Sequence, residues 1–245
     1  MLSTAIRLGG HSFLSRESRR HLSKIGTTQA QDGQGDTIGR MFVAAEVLFA
    51  EKGQDKVSLR ELTKLAGVNV AAVSYHFGSK EGLAKALFER LSVKINKERI
   101  VELERYLEDT RRKGERADLR TLIAIFLDPY VGPGNERQGM LLARMMMQHR
   151  IFPSAQANKL IQKYFDPWAK RFIEALIPAC PNVDPNEMYW RYLFMTNAVT
   201  MTLTDRSKSS RIARLSAGEV DTTNVHELRR ALLHFLAGAL SIDSK

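Results

Sequence analysis

The chain has 245 residues, a hydrophobic content of 44% and a formal net charge of +10 at pH 7. A chain of this length buries roughly 70% of its unfolded surface, which is enough for one or two domains with a real core. The apolar content excludes a wholly disordered protein. The positive charge favours a polyanionic partner, although a solvated basic surface explains the charge alone equally well.

Residues 1–35 are predicted to form a flexible basic arm. They are rich in Ser, Arg and Gly, and Glu17 is their only acidic residue before Asp32. Such a composition does not call for regular structure. The segment is either a native arm or the product of an upstream start codon included in the reading frame. A native basic arm could also reach a groove or phosphate of a nucleic acid.

The first predicted helix begins after Asp36, which is a suitable N-cap, and ends at Gly53. One face of this helix is apolar and is formed by Ile38, Phe42, Ala45, Leu48 and Phe49. We expect this face to pack over the next two short helices, with Leu83 and Leu87 of a later helix closing a three-helix core.

Two short helices are predicted between Ser58 and Phe77. Ser58 and Glu61 have the spacing of a capping box, so a helix begins after Ser58. Gly67 is placed to end it, because glycine adopts positive φ without steric cost. Asn69 is a good N-cap for a second helix, residues 70–75. Two such helices joined by a glycine turn form a helix-turn-helix, whose second helix enters the DNA major groove.

The outward side of the second helix carries small or hydrogen-bonding residues, namely Val70, Ala71, Ser74 and Tyr75. Small side chains allow close approach to base edges, and a serine can bond to any base. His76 and Lys80 follow, and Lys80 lies in the first turn of a helix capped by Ser79, a setting that suits a phosphate. The alternative interpretation is a buried helical hairpin. Net charge does not distinguish these two interpretations, since residues 37–81 contain six Lys and Arg against five Asp and Glu.

Residues 37–83 resemble the DNA-binding domain of TetR-type transcriptional regulators, through the runs SLRELTKLAGVNVAAVSYHF and GSKEGL. The resemblance implies an all-α homodimer that binds a double-stranded DNA operator and releases it when a ligand binds. Thr63 and Ser74 depart from the alanine and tyrosine common in the family, and Ser74 puts one usual DNA contact in doubt. The DNA-binding residues implied are Ser58, Arg60, Asn69, Val70, Ala71, Ser74, Tyr75, His76 and Lys80.

The predicted architecture is a helix-turn-helix DNA-binding domain over residues 36–95 and a helical regulatory and dimerisation domain over residues 96–245. A long helix from Ser79 toward Arg112 changes from apolar to charged along its length, as a linker between two cores does. A further helix, residues 119–127, is predicted to end at Asp128 and Pro129.

The next segments are rich in methionine and aromatic residues. A helix over residues 141–148 contains three consecutive methionines, and a helix opened by Pro153 is predicted to run to Leu176 with a kink at Pro167. Methionine adapts to varied partners, so these helices are candidate walls of an apolar pocket, although plain core filling is at least as good an interpretation. The candidate ligand-binding residues are Met145, Met146, Tyr164, Trp168, Phe172, Phe194 and Met195.

Two final helices are predicted to mediate dimerisation. Asp184, Pro185 and Glu187 start the first, and Asn224 caps the second after a basic, serine-rich loop over residues 205–223. Both helices are more apolar than one core contact requires, so they can pair with their copies in a four-helix interface. The run NEMYWRYLFMTNAV also resembles the PsrA-type subgroup of these regulators, which implies a small apolar effector, either a fatty acid or an acyl thioester.

Catalytic and cofactor motifs are absent from the sequence. No GxxxxGKS, GxGxxG or HExxH run occurs, and the six histidines lack metal-ligand spacing. Neither a metal, a cofactor nor enzymatic activity is therefore expected. A single cysteine, Cys180, fits a reducing, cytoplasmic location, and no membrane span is predicted. Two other functions stay open: a small-molecule enzyme or carrier, and an architectural DNA binder without sequence preference.

Overall fold

The computed structural model describes residues 33–207 and 210–243, with side chains from residue 36 onward. Within these ranges the fold is all-α and has no strand, as predicted. The predicted arm lies almost wholly outside the described residues. The helices are α1 (Gly33–Lys52), α2 (Leu59–Ala66), α3 (Val70–Phe77), α4 (Lys80–Lys113), α5 (Leu119–Val131), α6 (Glu136–Ile151), α7 (Ala155–Tyr164), α8 (Asp166–Ala179), α9 (Pro185–Thr204), α10 (Arg211–Leu215) and α11 (Val225–Ser241).

Helices α1 to α3 and the start of α4 enclose an amino-terminal core. Phe49 from α1, Leu62 from α2, Val73 from α3 and Leu83 from α4 are all buried there. The prediction that Asp36 caps the first helix is wrong, because α1 already begins at Gly33. Asp36 instead lies in the first turn and pairs with Arg40 at 3.3 Å. An acidic residue is favourable there, since the helix dipole is positive at that end.

Helix α4 connects the amino-terminal core to the rest of the molecule. It has 34 residues, which at the usual rise per residue is about 50 Å. Ser79 caps its start by accepting a hydrogen bond from the Gly82 N–H at 3.1 Å, and Gly114 ends it with φ of 67°. The proposed boundary between residues 95 and 96 therefore falls inside a continuous helix. A long helix that contacts both the amino-terminal and the carboxy-terminal helices can transmit a tilt from one part to the other.

The carboxy-terminal helices differ from the prediction in three places. Two of these differences occur at prolines. Helix α5 continues through Pro129 to Val131 rather than ending at Asp128, because a proline removes only one hydrogen bond of an otherwise buried helix. The helix predicted from Pro153 to Leu176 is two helices, α7 and α8, which meet at Phe165. Pro167 lies in the first turn of α8, where a missing N–H costs little. Ser154, rather than Pro153, caps α7.

The third correction concerns residues 205–223, which were predicted to be a loop but contain the short helix α10. The flanking caps are as predicted. Asp184 accepts hydrogen bonds from the backbone N–H groups of Asn186 and Glu187, and Asn224 accepts one from Glu227. Helix α9 packs along α6, and α11 packs along α5. Among the described residues, no helix combines the length and apolar character needed to cross a bilayer.

Candidate nucleic-acid interface and ligand-binding core

Helices α2 and α3 form a helix-turn-helix whose caps are those expected from the sequence. Ser58 Oγ accepts a hydrogen bond from the Glu61 N–H at 3.1 Å, while the Glu61 carboxylate pairs with Lys52 of α1. Gly67 has φ of 63° and ends α2 in the left-handed conformation. Asn69 Oδ1 then accepts from the Ala71 N–H at 3.0 Å and starts α3. The ion pair to α1 holds α2 in place.

The outer side of α3 faces solvent. Asn69, Val70, Ala71, Ser74 and Tyr75 are exposed and form what we call the recognition face, while Val73 on the opposite side is fully buried. The side chain of Tyr75 is 79% exposed. A large aromatic residue that is this exposed, with a ring contact only to its neighbour His76, is available to an external partner. Ser58 and Arg60 are exposed as well, at the start of α2.

Aromatic contacts fix the end of α3. Phe77 packs edge-on against Phe42 of α1, with ring centroids 5.4 Å apart, and the Arg90 guanidinium lies over the Phe42 ring. His76 is half-buried between Tyr75 and Phe77, making ring contacts with both. The recognition face is therefore held rigidly against α1 and α4, which favours binding because little conformational entropy is lost.

Lys80 has a structural contact that the sequence did not reveal. Its Nζ donates hydrogen bonds to the backbone oxygens of Gln54 and Val57, both at 3.1 Å. These carbonyls belong to the connection between α1 and α2, and the Gln54 oxygen also accepts a hydrogen bond from the Val57 N–H. The ammonium group carries three hydrogens, so one is left for a phosphate. Thr63, the departure from the family alanine, is buried and donates to the carbonyl oxygens of Leu59 and Arg60, so its hydroxyl is satisfied.

Gly82→Ala is expected to displace the recognition face. A Cβ at Gly82 would lie 1.9 Å from the Phe77 carbonyl oxygen, so the start of α4 must move away from the end of α3. We expect a loss of about 1 to 3 kcal/mol in unfolding free energy, measured by urea denaturation. Gly39→Ala on α1 is the matched control, because its Cβ meets nothing within 4 Å and should stabilise the helix by about 1 kcal/mol. Equal stability of the two variants would contradict the close approach.

The candidate ligand-binding residues do not line one cavity. Met145 lies in a cleft of about 310 Å³ between α4, α6 and α7. Phe194 and Met195 line a separate apolar groove between α9 and α11, and Phe194 is exposed on the outside. Tyr164 donates to Glu89 at 2.9 Å, and Met146 packs against the core. Trp168 and Phe172 are fully buried, stacked 5.0 Å apart in the carboxy-terminal core.

A buried arginine is the feature that sequence reasoning missed. Arg99 of α4 is 2% exposed, and its guanidinium carbon lies 4.4 to 5.2 Å from the ring centroids of Tyr130, Phe126 and Trp168. A signal was present, because Leu91, Ile95, Arg99 and Leu103 recur every four residues. An arginine in the middle of an apolar stripe occupies a core position.

Tyr192 closes the same cluster from α9. Its ring centroid lies 6.4 Å from that of Phe126 and 6.3 Å from that of Phe172. Burial raises the pKa of its hydroxyl, with the nearby Arg99 charge opposing the shift. A tyrosine hydroxyl is neutral at physiological pH even without this shift, so it can both donate and accept a hydrogen bond. Helices α4, α5, α8 and α9 thus meet around a core that is aromatic, with a cation inside.

Helices α9 and α11 present a second exposed apolar surface, which we call the paired face. Trp190 stacks on Phe194 with ring centroids 6.3 Å apart, and small residues such as Ala198 and Ala239 lie in the groove beside them. Arg191 joins the two helices by donating to the Leu240 carbonyl oxygen at 2.9 Å. The large exposed members of the face are Tyr189, Trp190, Leu193, Phe194 and Phe235. A patch of this kind marks an interaction surface.

Helix α6 connects the carboxy-terminal core to the helix-turn-helix. Arg144 Nη1 donates to the Ala50 carbonyl oxygen near the end of α1 at 2.5 Å. Gln138 bridges the two parts, donating to Glu46 of α1 at 3.1 Å and accepting from Lys94 of α4 at 2.8 Å. A shift of α4 or α6 would therefore displace α1 and, through α1, the recognition face. No cluster of side chains suited to a metal ion occurs among the described residues.

These features define a class of protein: an all-α molecule with a helix-turn-helix at one end and a helical core with an exposed apolar face at the other. Two family models match it, one described as "Bacterial regulatory proteins, tetR family" over residues 42–87 and one as "Tetracyclin repressor-like, C-terminal domain" over residues 124–239. The chain belongs to the TetR family of transcriptional regulators. The resemblance to the PsrA-type subgroup is not confirmed.

Solved structures share the fold over nearly their whole length. A mutant of HlyIIR, a hemolysin II transcriptional regulator, is 20% identical with a TM-score of 0.55 and covers 85% of this chain and 99% of its own. A TetR-family regulator from Rhodococcus sp. is 15% identical (TM-score 0.52; 84% and 100% covered). A regulator from Saccharomonospora viridis in complex with choline is 17% identical (TM-score 0.53; 83% and 96% covered). No curated protein matches the sequence.

Proposed function

We propose that the protein is a homodimeric repressor that binds a double-stranded operator through its recognition face and releases it when a small apolar ligand binds the carboxy-terminal core. Such a regulator acts in the cytoplasm. The observation that carries the proposal is the rigidly held, outward α3 with its small and hydrogen-bonding residues. A helix with small exposed side chains fits the major groove, where base edges can be read directly.

Backbone contacts complete the proposed DNA interface. The exposed amino terminus of α3 suits phosphate oxygens, and so does the exposed start of α2 with Ser58 and Arg60, because helix amino termini and cations attract anions. His76 and the remaining hydrogen of Lys80 lie next to the recognition face and can serve the same purpose. Base readout then falls to Val70, Ala71 and Ser74, with Tyr75 at the edge of the groove.

Tyr75→Ala is expected to weaken operator binding by about tenfold or more, since one good contact contributes roughly 1 to 3 kcal/mol. Ser74→Arg should do so by placing a long charged side chain where close approach is needed. The operator is first recovered by capture of genomic fragments on the immobilised protein, and affinity is then measured by gel shift at fixed salt. Val101→Ala is the control, because Val101 is also exposed but lies on α4. Unchanged affinity of both α3 variants would reject the proposed interface.

The paired face supports the dimer. Two copies related by a twofold axis bring α9 and α11 of each into a four-helix interface. The arrangement covers the exposed aromatic residues and allows the small residues to bring the helices close. A dimer is also needed to place two recognition helices in successive major grooves about 34 Å apart.

Release requires that the ligand favour one spacing of the recognition helices over another. The contacts of α4 and α6 with α1 provide a physical connection between the core and the helix-turn-helix. A coupling free energy of about 1 to 3 kcal/mol would change operator affinity by roughly 5 to 150-fold. The similarly folded regulator bound to choline is an example of a small ligand in this fold. We propose the aromatic core around Trp168 as the place where the apolar ligand binds in this chain.

A further inference from the structure

Arg99 is a buried cation without a buried anion. Its Nη2 donates to the Phe126 carbonyl oxygen at 2.9 Å, and its Nη1 makes a long contact of 3.4 Å with Asn96 Oδ1. No carboxylate of the described residues forms an ion pair with it. Arginine cannot escape the cost of burial by losing its proton, as lysine or histidine can. A buried charge is expected to be paired.

The residues around Arg99 offset only part of the cost of burying its charge. Three aromatic rings face the guanidinium, and cation–π attraction is strongest where water is excluded. Asn96 is itself committed to its own helix, donating to the Ser92 carbonyl oxygen at 3.0 Å. Ser92, Asn96 and Arg99 therefore form a polar seam along the buried side of α4, and Arg99 holds its only full charge.

Two buried N–H donors of this cluster have no acceptor. Arg99 Nε and Trp168 Nε1 both lack a hydrogen-bond partner among the described residues, although leaving a buried donor unpaired is costly. They belong to neighbouring side chains, since the guanidinium carbon lies 5.2 Å from the Trp168 ring centroid. The cluster thus has two unpaired donors and a positive charge, and no carboxylate of the described residues pairs with it. A carboxylate supplies a negative charge and several acceptor sites at once.

We propose that Arg99 is the anion-binding residue of the effector site, and that the effector is a free apolar acid whose carboxylate pairs with Arg99 while its hydrocarbon or aromatic body packs among Phe126, Trp168, Phe172 and Tyr192. This inference rests on the proposed function and narrows its ligand. An acyl thioester is disfavoured, because its carbonyl is neutral. A quaternary ammonium such as choline is disfavoured too, because the guanidinium already occupies the aromatic faces that would receive a cation.

The position of Arg99 couples the site to DNA binding. It lies on α4, the same rigid helix that begins beside the recognition face, and its partners come from α5 and α8. An acid that separates α5 and α8 from α4 changes the position of α4 relative to α6. Since α6 holds α1 through Arg144 and Gln138, occupancy of the site and the orientation of the helix-turn-helix are linked.

The test is thermal unfolding of the full-length protein with hexanoate, decanoate or hexadecanoate, each compared with the alcohol of the same chain length and with choline. At least one carboxylate should raise Tm by about 5 to 10 °C at ~100 times its Kd, while its alcohol and choline do not. This comparison needs only the wild-type protein. Arg99→Gln should weaken the binding of that carboxylate at least about tenfold, because a charge-assisted pair is lost. Arg99→Lys should retain part of the affinity for the carboxylate.

Three results would overturn the inference: no carboxylate raises Tm, the matched alcohol is as effective, or Arg99→Gln binds the acid as tightly as the wild type. The operator assay separates this inference from the proposed function. If the ligand-free protein captures specific DNA but binds none of the acids, the proposed regulator function stands and the proposed role of Arg99 is wrong. If a carboxylate binds through Arg99 but the protein has no affinity for DNA, the role of Arg99 stands and the proposed regulator function is wrong.

Discussion

Phe235→Glu is expected to convert the dimer into a monomer and to abolish tight operator binding. Phe235 is 61% exposed in a single chain and lies on α11, where it lines the groove of the paired face together with Phe194. Pairing of two copies would bury two uncompensated carboxylates next to each other. Each costs several kcal/mol, so the dimer dissociation constant should rise by about a hundredfold or more. Analytical ultracentrifugation measures the change directly.

Operator affinity should fall together with dimerisation, because a monomer holds one recognition helix and binds one half-site. Val101→Glu is the matched control, since Val101 is 60% exposed but lies on α4, away from the paired face. It should leave both the oligomeric state and the gel shift unchanged. If Phe235→Glu remains a dimer, another surface of the molecule mediates assembly, and the proposed four-helix interface is wrong.

Phe49→Ala is expected to cause the largest loss of stability. The side chain is 1% exposed and fills the centre of the amino-terminal core, where α1 meets α2 and α6. Truncation of a buried phenylalanine costs about 3 to 5 kcal/mol, a large part of the roughly 5 to 15 kcal/mol that holds a domain together. Urea denaturation monitored by circular dichroism should show the loss, and operator binding should fall because α1 no longer supports α3.

Phe152→Ala is the control for this prediction. Phe152 is 74% exposed at the end of α6, so its truncation leaves no cavity and should change the unfolding free energy by less than about 0.5 kcal/mol. A loss of similar size in both variants would show that residue type, rather than burial, sets the cost.

The amino-terminal part was the easiest to predict, because its structure depends on local signals. Ser58, Gly67 and Asn69 act within three residues of their own positions, through caps and a left-handed turn, so their spacing alone defines α2 and α3. The outward orientation of Tyr75 and the burial of Val73 follow from helical periodicity. The same holds for the caps of α9 and α11, Asp184 and Asn224.

The errors occurred where distant parts of the chain decide the outcome. Pro129 is tolerated because α5 stays helical and buried beyond it. Pro167 lies in the first turn of a separate helix, α8, rather than at a kink. Composition does not say which of the candidate ligand residues share a site, and the fold places Phe194 on the outside and Trp168 in the core. Lys80 appeared to be a free cation, and only the fold brings the carbonyls of Gln54 and Val57 to it.

By itself the sequence determined the fold class and the helix-turn-helix with its exposed face, since both depend on short-range patterns of caps, turns and apolar spacing. The family followed from the resemblance of one stretch, residues 37–83, to TetR-type regulators. Only the tertiary structure decided which aromatic residues meet, that Arg99 is enclosed by three of them without a carboxylate, and that α6 bridges the core to α1. These contacts join residues far apart in the chain, and the packing of whole helices, rather than any local preference, brings such residues together.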